Sequence, residues 1–136
     1  MNEQGIAGYI GENVQDIINA IHGGVGRYQA EEDRFVPLFY SDGVPALAGY
    51  TREEYDEIVR MDLFNSVCEP DRERIRSKAF AAAKSGEPLD VYYRTRHKDG
   101  ELIWIHLSGR AAGPKSTQFC AVFLACPRKP FPSKRL

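Results

Sequence analysis

The chain has 136 residues, a formal net charge of −1, and 43% hydrophobic against 27% charged residues. That length suits one domain whose core needs neither disulfides nor metals, and the composition excludes both a disordered chain and a membrane-spanning one. Interspersed acids and bases offer no basic surface to nucleic acid or to an anionic membrane, so neither is expected as a partner.

The opening stretch MNEQGIAGYIGENVQ lacks the layout of a signal peptide, which makes a cytoplasmic location the expectation. Residues 1–11 read as a flexible segment. Val14, Ile17, Ile18 and Ile21 then fall at i, i+3, i+4 and i+7, the stripe of a short helix from about Glu12 to His22 that Gly23 and Gly24 stop. Val25 to Gln29 and Phe35 to Ser41 are strands joined by the polar loop AEEDR. The stretch GGVG lacks the Lys-Ser/Thr of a phosphate loop and reads as a chain reversal.

Ser41 or Asp42 can cap a helical turn, and TREE is a capping box, Thr51 with Glu54, opening a helix to about Val59. Pro70, Asp71 and Glu73 open a longer helix that ends near Lys84 and Gly86, with Ile75, Ala79, Ala82 and Ala83 as its inner stripe. Leu89 to Arg96 and Glu101 to Arg110 flank Asp99-Gly100, which predicts an antiparallel hairpin with a type I′ turn. After the turn AAGPKST, Gln118 to Ala125 forms the last strand, and residues 127–136 are a basic, proline-rich linker or tail. The folded unit is thus 12–126, an α+β domain with helices over one face of an antiparallel sheet.

Strand parity divides the sheet into two faces. Val91, Tyr93, Thr95, Ile103, Ile105 and Leu107 share one, and Tyr92, Trp104, His106, Cys120, Val122 and Leu124 the other. The second is too apolar to face water, so the Val14/Ile17/Ile18/Ile21 stripe, from its own chain or from a second copy, is expected to cover it. Trp104, Val122 and Leu124 with those four residues make the predicted interface of a homodimer. The inner face carries no Asp, Glu or His, which leaves a small isomerase or hydratase without its acid or base, so no catalytic residue is nominated. Cys68, Cys120 and Cys126 lack metal-binding spacing and read as reduced packing thiols, and His22, His97 and His106 do not converge, so no metal site is predicted.

In order, FYSDGVPALAGYTREEYDEI, CEPDRERI and YYRTRHKDGELIWIHLSGR resemble the central, helical and C-terminal motifs of PAS sensory domains. The resemblance covers about residues 12 to 126 and implies a five-stranded antiparallel sheet in the order 2-1-5-4-3. IHGGVGRY ahead of LFYSDG is similar to PAS domains upstream of bacterial diguanylate cyclases or histidine kinases, which implies such an output domain linked beyond this chain. Taken in the register of the photosensory LOV branch, the cavity-facing positions would be Phe39, Tyr93, Thr95, Ile105, Leu107, Ala121 and Phe123, with Tyr28 added from the first strand.

The resemblance also bears on cofactors, and none is predicted. Flavin-binding members carry amides at the positions of Thr95, Ile105 and Phe123 and a reactive cysteine in an NCRFLQ-type helix, and both features are absent here, which disfavours flavin. Haem-binding members offer an axial histidine from the long helix, and EPDRERIRSKAFAAAKS has none, which disfavours haem. Two functions remain. One is a sensory module that binds an unknown small apolar molecule, and the other a ligand-free dimerisation or interaction module whose interior its own side chains fill.

Overall fold

The computed structural model describes residues 23–113 and 117–126. The predicted helix bearing Val14, Ile17, Ile18 and Ile21, the leader 1–11 and the tail 127–136 lie outside the described residues. The element order is β1 (Gly23–Ala30), β2 (Phe35–Tyr40), α1 (Gly43–Leu47), α2 (Arg52–Val59), a 3-10 turn (Leu63–Ser66), α3 (Glu69–Ser85), β3 (Leu89–Arg96), β4 (Leu102–Ala111) and β5 (Gln118–Cys126). The strands form one antiparallel sheet in the order β2-β1-β5-β4-β3, as the resemblance implied.

The helix ends follow from local chemistry. At α2, Thr51 Oγ1 accepts from the Glu54 N–H at 3.1 Å while Glu54 Oε1 accepts from the Thr51 N–H at 2.9 Å, so the predicted capping box is formed. α3 stops at Gly86, whose φ of 80° turns the chain out of the helix toward β3. Between the two helices, Asp62 accepts from the Phe64 N–H at 2.9 Å and pairs with Arg76 of α3, which fixes the 3-10 turn and directs Phe64 into the core. Neither Ser41 nor Asp42 caps α1 through its side chain. Ser41 Oγ instead accepts from the Val25 N–H at 3.0 Å, and Asp42 lies 3.6 Å from Arg52.

Three local expectations are corrected. GGVG is no chain reversal, because β1 already begins at Gly23 and pairs with Leu124 of β5. The β3–β4 turn is not a two-residue type I′ turn. The Gly100 N–H donates to His97 O at 2.9 Å and the His97 N–H to Glu101 O at 2.7 Å, closing a three-residue loop in which Gly100 takes the positive φ of 99°. The third concerns β2, where Arg27 faces Phe39 but Tyr28 faces Pro37, leaving Leu38 as an extra, bulged residue. Side-chain parity reverses across that bulge, so Phe35 and Tyr40 both point inward although they are five apart.

Packing lies between the inner sheet face and α3 with the 3-10 turn. Phe35 is its hub, 5.9 Å from Phe64, 4.8 Å from Phe80 and 6.0 Å from Phe119 between ring centroids. Ile75, Ala79 and Ala82 of α3 are buried against it, as their spacing predicts, and Ala83 sits at its margin. A smaller cluster of Tyr40, Val44, Tyr55 and Val59 joins α1 and α2 to the sheet edge.

Candidate functional site

The inner face of β1 presents Gly24, Gly26 and Tyr28. A Cβ on Gly26 would lie 2.5 Å from the Tyr28 hydroxyl and 2.8 Å from its ring, so only glycine lets that ring fold back along its own strand. The phenol is buried in one cluster with Ile75 and Ala79 of α3. It borders a cavity of about 50 Å³ that is also lined by Phe35, Tyr55, Phe64, Ser66, Ile75, Tyr93, Leu107, Phe119, Ala121 and Phe123.

Of the positions nominated from the sequence, Tyr28, Tyr93, Leu107, Ala121 and Phe123 converge on this cavity. Thr95 and Ile105 do not reach it. With Tyr93 and Phe123 they border a second recess of about 20 Å³ beside α1. Phe39 is on the wrong face altogether: the Leu38 bulge rotates it outward, where it is 55% exposed. Tyr40 takes the inward place that parity had assigned to Phe39.

Four lining aromatics escaped the nomination: Phe35, Tyr55, Phe64 and Phe119. Phe119 shares the parity of Ala121 and Phe123 and could have been found from that. Tyr55 and Val59, four apart in the capped helix α2, carried a helical signal. Phe64 lies in an irregular stretch with no periodicity, and Phe35 precedes the bulge.

Polar groups around the cavity are few. Thr95 Oγ1 donates to Ser66 O at 2.5 Å, and the Tyr55 hydroxyl is hydrogen-bonded to the Ser66 side chain. Tyr28 is 3% exposed, yet among the described residues its hydroxyl meets no hydrogen-bond partner. An unpaired buried hydroxyl costs about 1–3 kcal/mol, so its persistence asks for an explanation. Burial pushes Tyr28 and Tyr93 well above the ordinary tyrosine range and Tyr55 up to about 12, so all three remain protonated donors at neutral pH. Hydroxyl donors in an apolar shell can hold a neutral molecule, and they supply no proton acceptor for acid–base chemistry.

The opposite sheet face is a distinct surface. Val25, Arg27, Phe39, Arg110, Cys120 and Val122 border a groove of about 640 Å³ across β2, β1, β5 and β4. Trp104 and Leu124 lie on the same face, half-buried, with the Arg94 guanidinium 5.4 Å from the Trp104 ring. His106 stacks on Tyr92 with centroids 4.4 Å apart, and its Nε2 is 2.5 Å from Asp90 Oδ1. Predicted outward parity thus holds for all of Trp104, Val122 and Leu124.

Sheet, helices and cavity define a one-sheet α+β domain whose candidate site lies between the inner sheet face and α3. A family model described as PAS fold matches residues 37–122, and the chain belongs to that family. No curated protein matches it. Among solved structures it is similar to a sensory box histidine kinase/response regulator from Burkholderia thailandensis, at 18% identity and a TM-score of 0.62, with 82% of each chain covered. It is also similar to the PAS domain of a protein from Colwellia psychrerythraea, at 15% identity and a TM-score of 0.63, covering 86% of this chain and 97% of the other. A third is the LOV protein of Rhodobacter sphaeroides, at 14% identity and a TM-score of 0.59, covering 96% and 71%. At these identities the likeness establishes the fold. Among the described residues no helix is long and apolar enough to cross a membrane.

Proposed function

We propose that this domain, spanning 12–126, is the sensory module of a signalling protein, in which a small, mostly apolar molecule enters the cavity between sheet and α3 and biases the sheet toward one of two states. The observation that carries the proposal is the apolar cavity of about 50 Å³ whose wall holds the Tyr28 hydroxyl, unpaired among the described residues. A ligand acts here only through unequal affinity for the two states, and a site behind the sheet is placed to have it. The tail 127–136 would lead to an output domain such as a histidine kinase or diguanylate cyclase, which would hold any catalytic activity. The likeness to a sensory box histidine kinase/response regulator supports an output of the first kind.

Neither flavin nor haem fits these residues. A space of about 50 Å³ is a third of the roughly 150 Å³ that takes one benzene ring. Thr95, Ile105 and Phe123 offer no amide, and Thr95 is already committed to Ser66 O. α3 carries no histidine.

Xenon, a probe of small apolar cavities, tests the proposal. Titration under pressure should shift the NMR resonances of Tyr28, Leu107 and Ala121, and with them those of Trp104 and Leu124 on the outer face. Absence of any interior shift would leave the ligand-free interaction module as the function. That second reading has its own support in the outer face, where Phe39, 55% exposed, borders the groove. There Trp104, Val122 and Leu124, together with the apolar residues Val14, Ile17, Ile18 and Ile21, would form a homodimer interface.

A further inference from the structure

We infer that the cavity is a site for a neutral molecule of two or three non-hydrogen atoms bearing a hydrogen-bond acceptor, such as a small nitrile, aldehyde or alcohol, oriented by the Tyr28 hydroxyl. The inference rests on the ligand-binding proposal above and adds the ligand's chemistry to it.

Three observations set the class. Size comes from the volume: if about 150 Å³ takes the six carbons of benzene, about 50 Å³ takes two or three atoms. Neutrality comes from the wall, where Phe35, Phe64, Ile75, Leu107 and Phe119 offer nothing to compensate a desolvated charge. The acceptor comes from Tyr28. Its hydroxyl is buried and without a partner among the described residues, whereas Thr95 and Tyr55 are satisfied at Ser66. Burial keeps Tyr28 protonated, so its proton is offered and the ligand must take it as a hydrogen bond.

Position is built in by β1. Gly26 leaves the space over which the Tyr28 ring folds, holding the hydroxyl at the cavity wall instead of letting the phenol project across it. Phe123 meets the same ring edge-on, with centroids 6.4 Å apart, and limits its swing. The donor is therefore oriented before any ligand arrives.

Acetonitrile and propyne test this directly, being linear molecules of three non-hydrogen atoms that differ in carrying or lacking an acceptor. In NMR titrations of the whole chain, acetonitrile is expected to shift Tyr28, Leu107 and Ala121 with a Kd near 1 mM, on the order of the ligand-efficiency ceiling for three atoms. Propyne should bind about tenfold more weakly. Tyr28→Phe should remove that preference, leaving propyne binding unchanged, and the nitrile stretch of bound acetonitrile should lose its hydrogen-bonded position. Ala121→Val, which adds two carbons to the wall, should abolish binding of both. Equal affinity for the two probes, a preference that survives Tyr28→Phe, or binding of neither would overturn the inference. Xenon binding retained alongside any of those results would leave the sensory proposal standing.

Discussion

Asp71, in the first turn of α3, grips Arg94 of β3 through three hydrogen bonds. Its Oδ2 accepts from the Arg94 backbone N–H at 2.8 Å and from Nε at 2.9 Å, and its Oδ1 from Nη2 at 2.8 Å. The Cys68 N–H donates to Arg94 O at 2.8 Å beside it, so the start of the long helix is fastened to the sheet from both sides of one residue. Asp71 is 6% exposed, which makes the pair a buried tie between α3 and β3 and not a surface ion pair.

The Arg94 guanidinium and its N–H hold the Asp71 carboxyl down at about 2. The folded value lies below the unfolded one near 3.8, so the pair's stability is fully present above pH 4 and is lost as pH falls toward 2. Acid unfolding monitored by circular dichroism should therefore show a transition in that window. Asp71→Asn, which keeps shape but not charge, should flatten it and cost about 1–3 kcal/mol at pH 7. A variant with unchanged acid unfolding would separate this pair from stability.

At the alkaline end the buried tyrosines take over. Tyr28, Tyr55 and Tyr93 are all raised by burial, so they favour the folded state below the unfolded tyrosine value near 10 and progressively cease to do so above it. Each proton that only the folded state retains steepens the loss by about 1.4 kcal/mol per pH unit, so stability should decline as pH rises above 10. Tyrosinate absorbance should rise in step with unfolding for these three. Tyr28→Phe should make that decline shallower and, by removing an unpaired hydroxyl, raise stability at pH 7 by about 1 kcal/mol. Ionisation of all tyrosines well before unfolding would contradict the burial.

Legibility in the sequence followed how local each determinant is. The capping box at Thr51 and Glu54, the stop at Gly86 and the alternation of β3, β4 and β5 depend on neighbours a few residues away, and each is found as predicted. The Leu38 bulge depends on how β2 meets β1; Pro37 signals an edge strand or a bulge but not which residue is extra, so simple alternation puts Phe39 on the wrong face. The cavity's size was equally out of reach. It depends on the rings of Phe35, Phe64 and Phe119, which line it from β2, the 3-10 turn and β5 and meet only in the fold.

Phe39 offers a clean probe of the outer face, because it is exposed and its replacement should not disturb the core. If two copies associate through the groove of Val25, Arg27, Phe39 and Val122, Phe39→Asp should weaken the dimer at least tenfold in sedimentation equilibrium while changing monomer stability by about 0.5 kcal/mol or less. A dimer of unaltered strength would place the contact elsewhere.

Gly26 and Tyr28 should be energetically coupled, since a methyl at residue 26 and the folded-back phenol compete for one space. Gly26→Ala alone is expected to cost about 1–3 kcal/mol by driving the ring toward the cavity. In Tyr28→Leu the shorter side chain no longer lies over residue 26, so adding Gly26→Ala there should cost little. A double-mutant cycle by chemical denaturation should accordingly give an interaction energy of about 1 kcal/mol or more. Additive effects would mean that the ring finds another resting place at no cost. In that case the hydroxyl is not held at the cavity wall by its own strand.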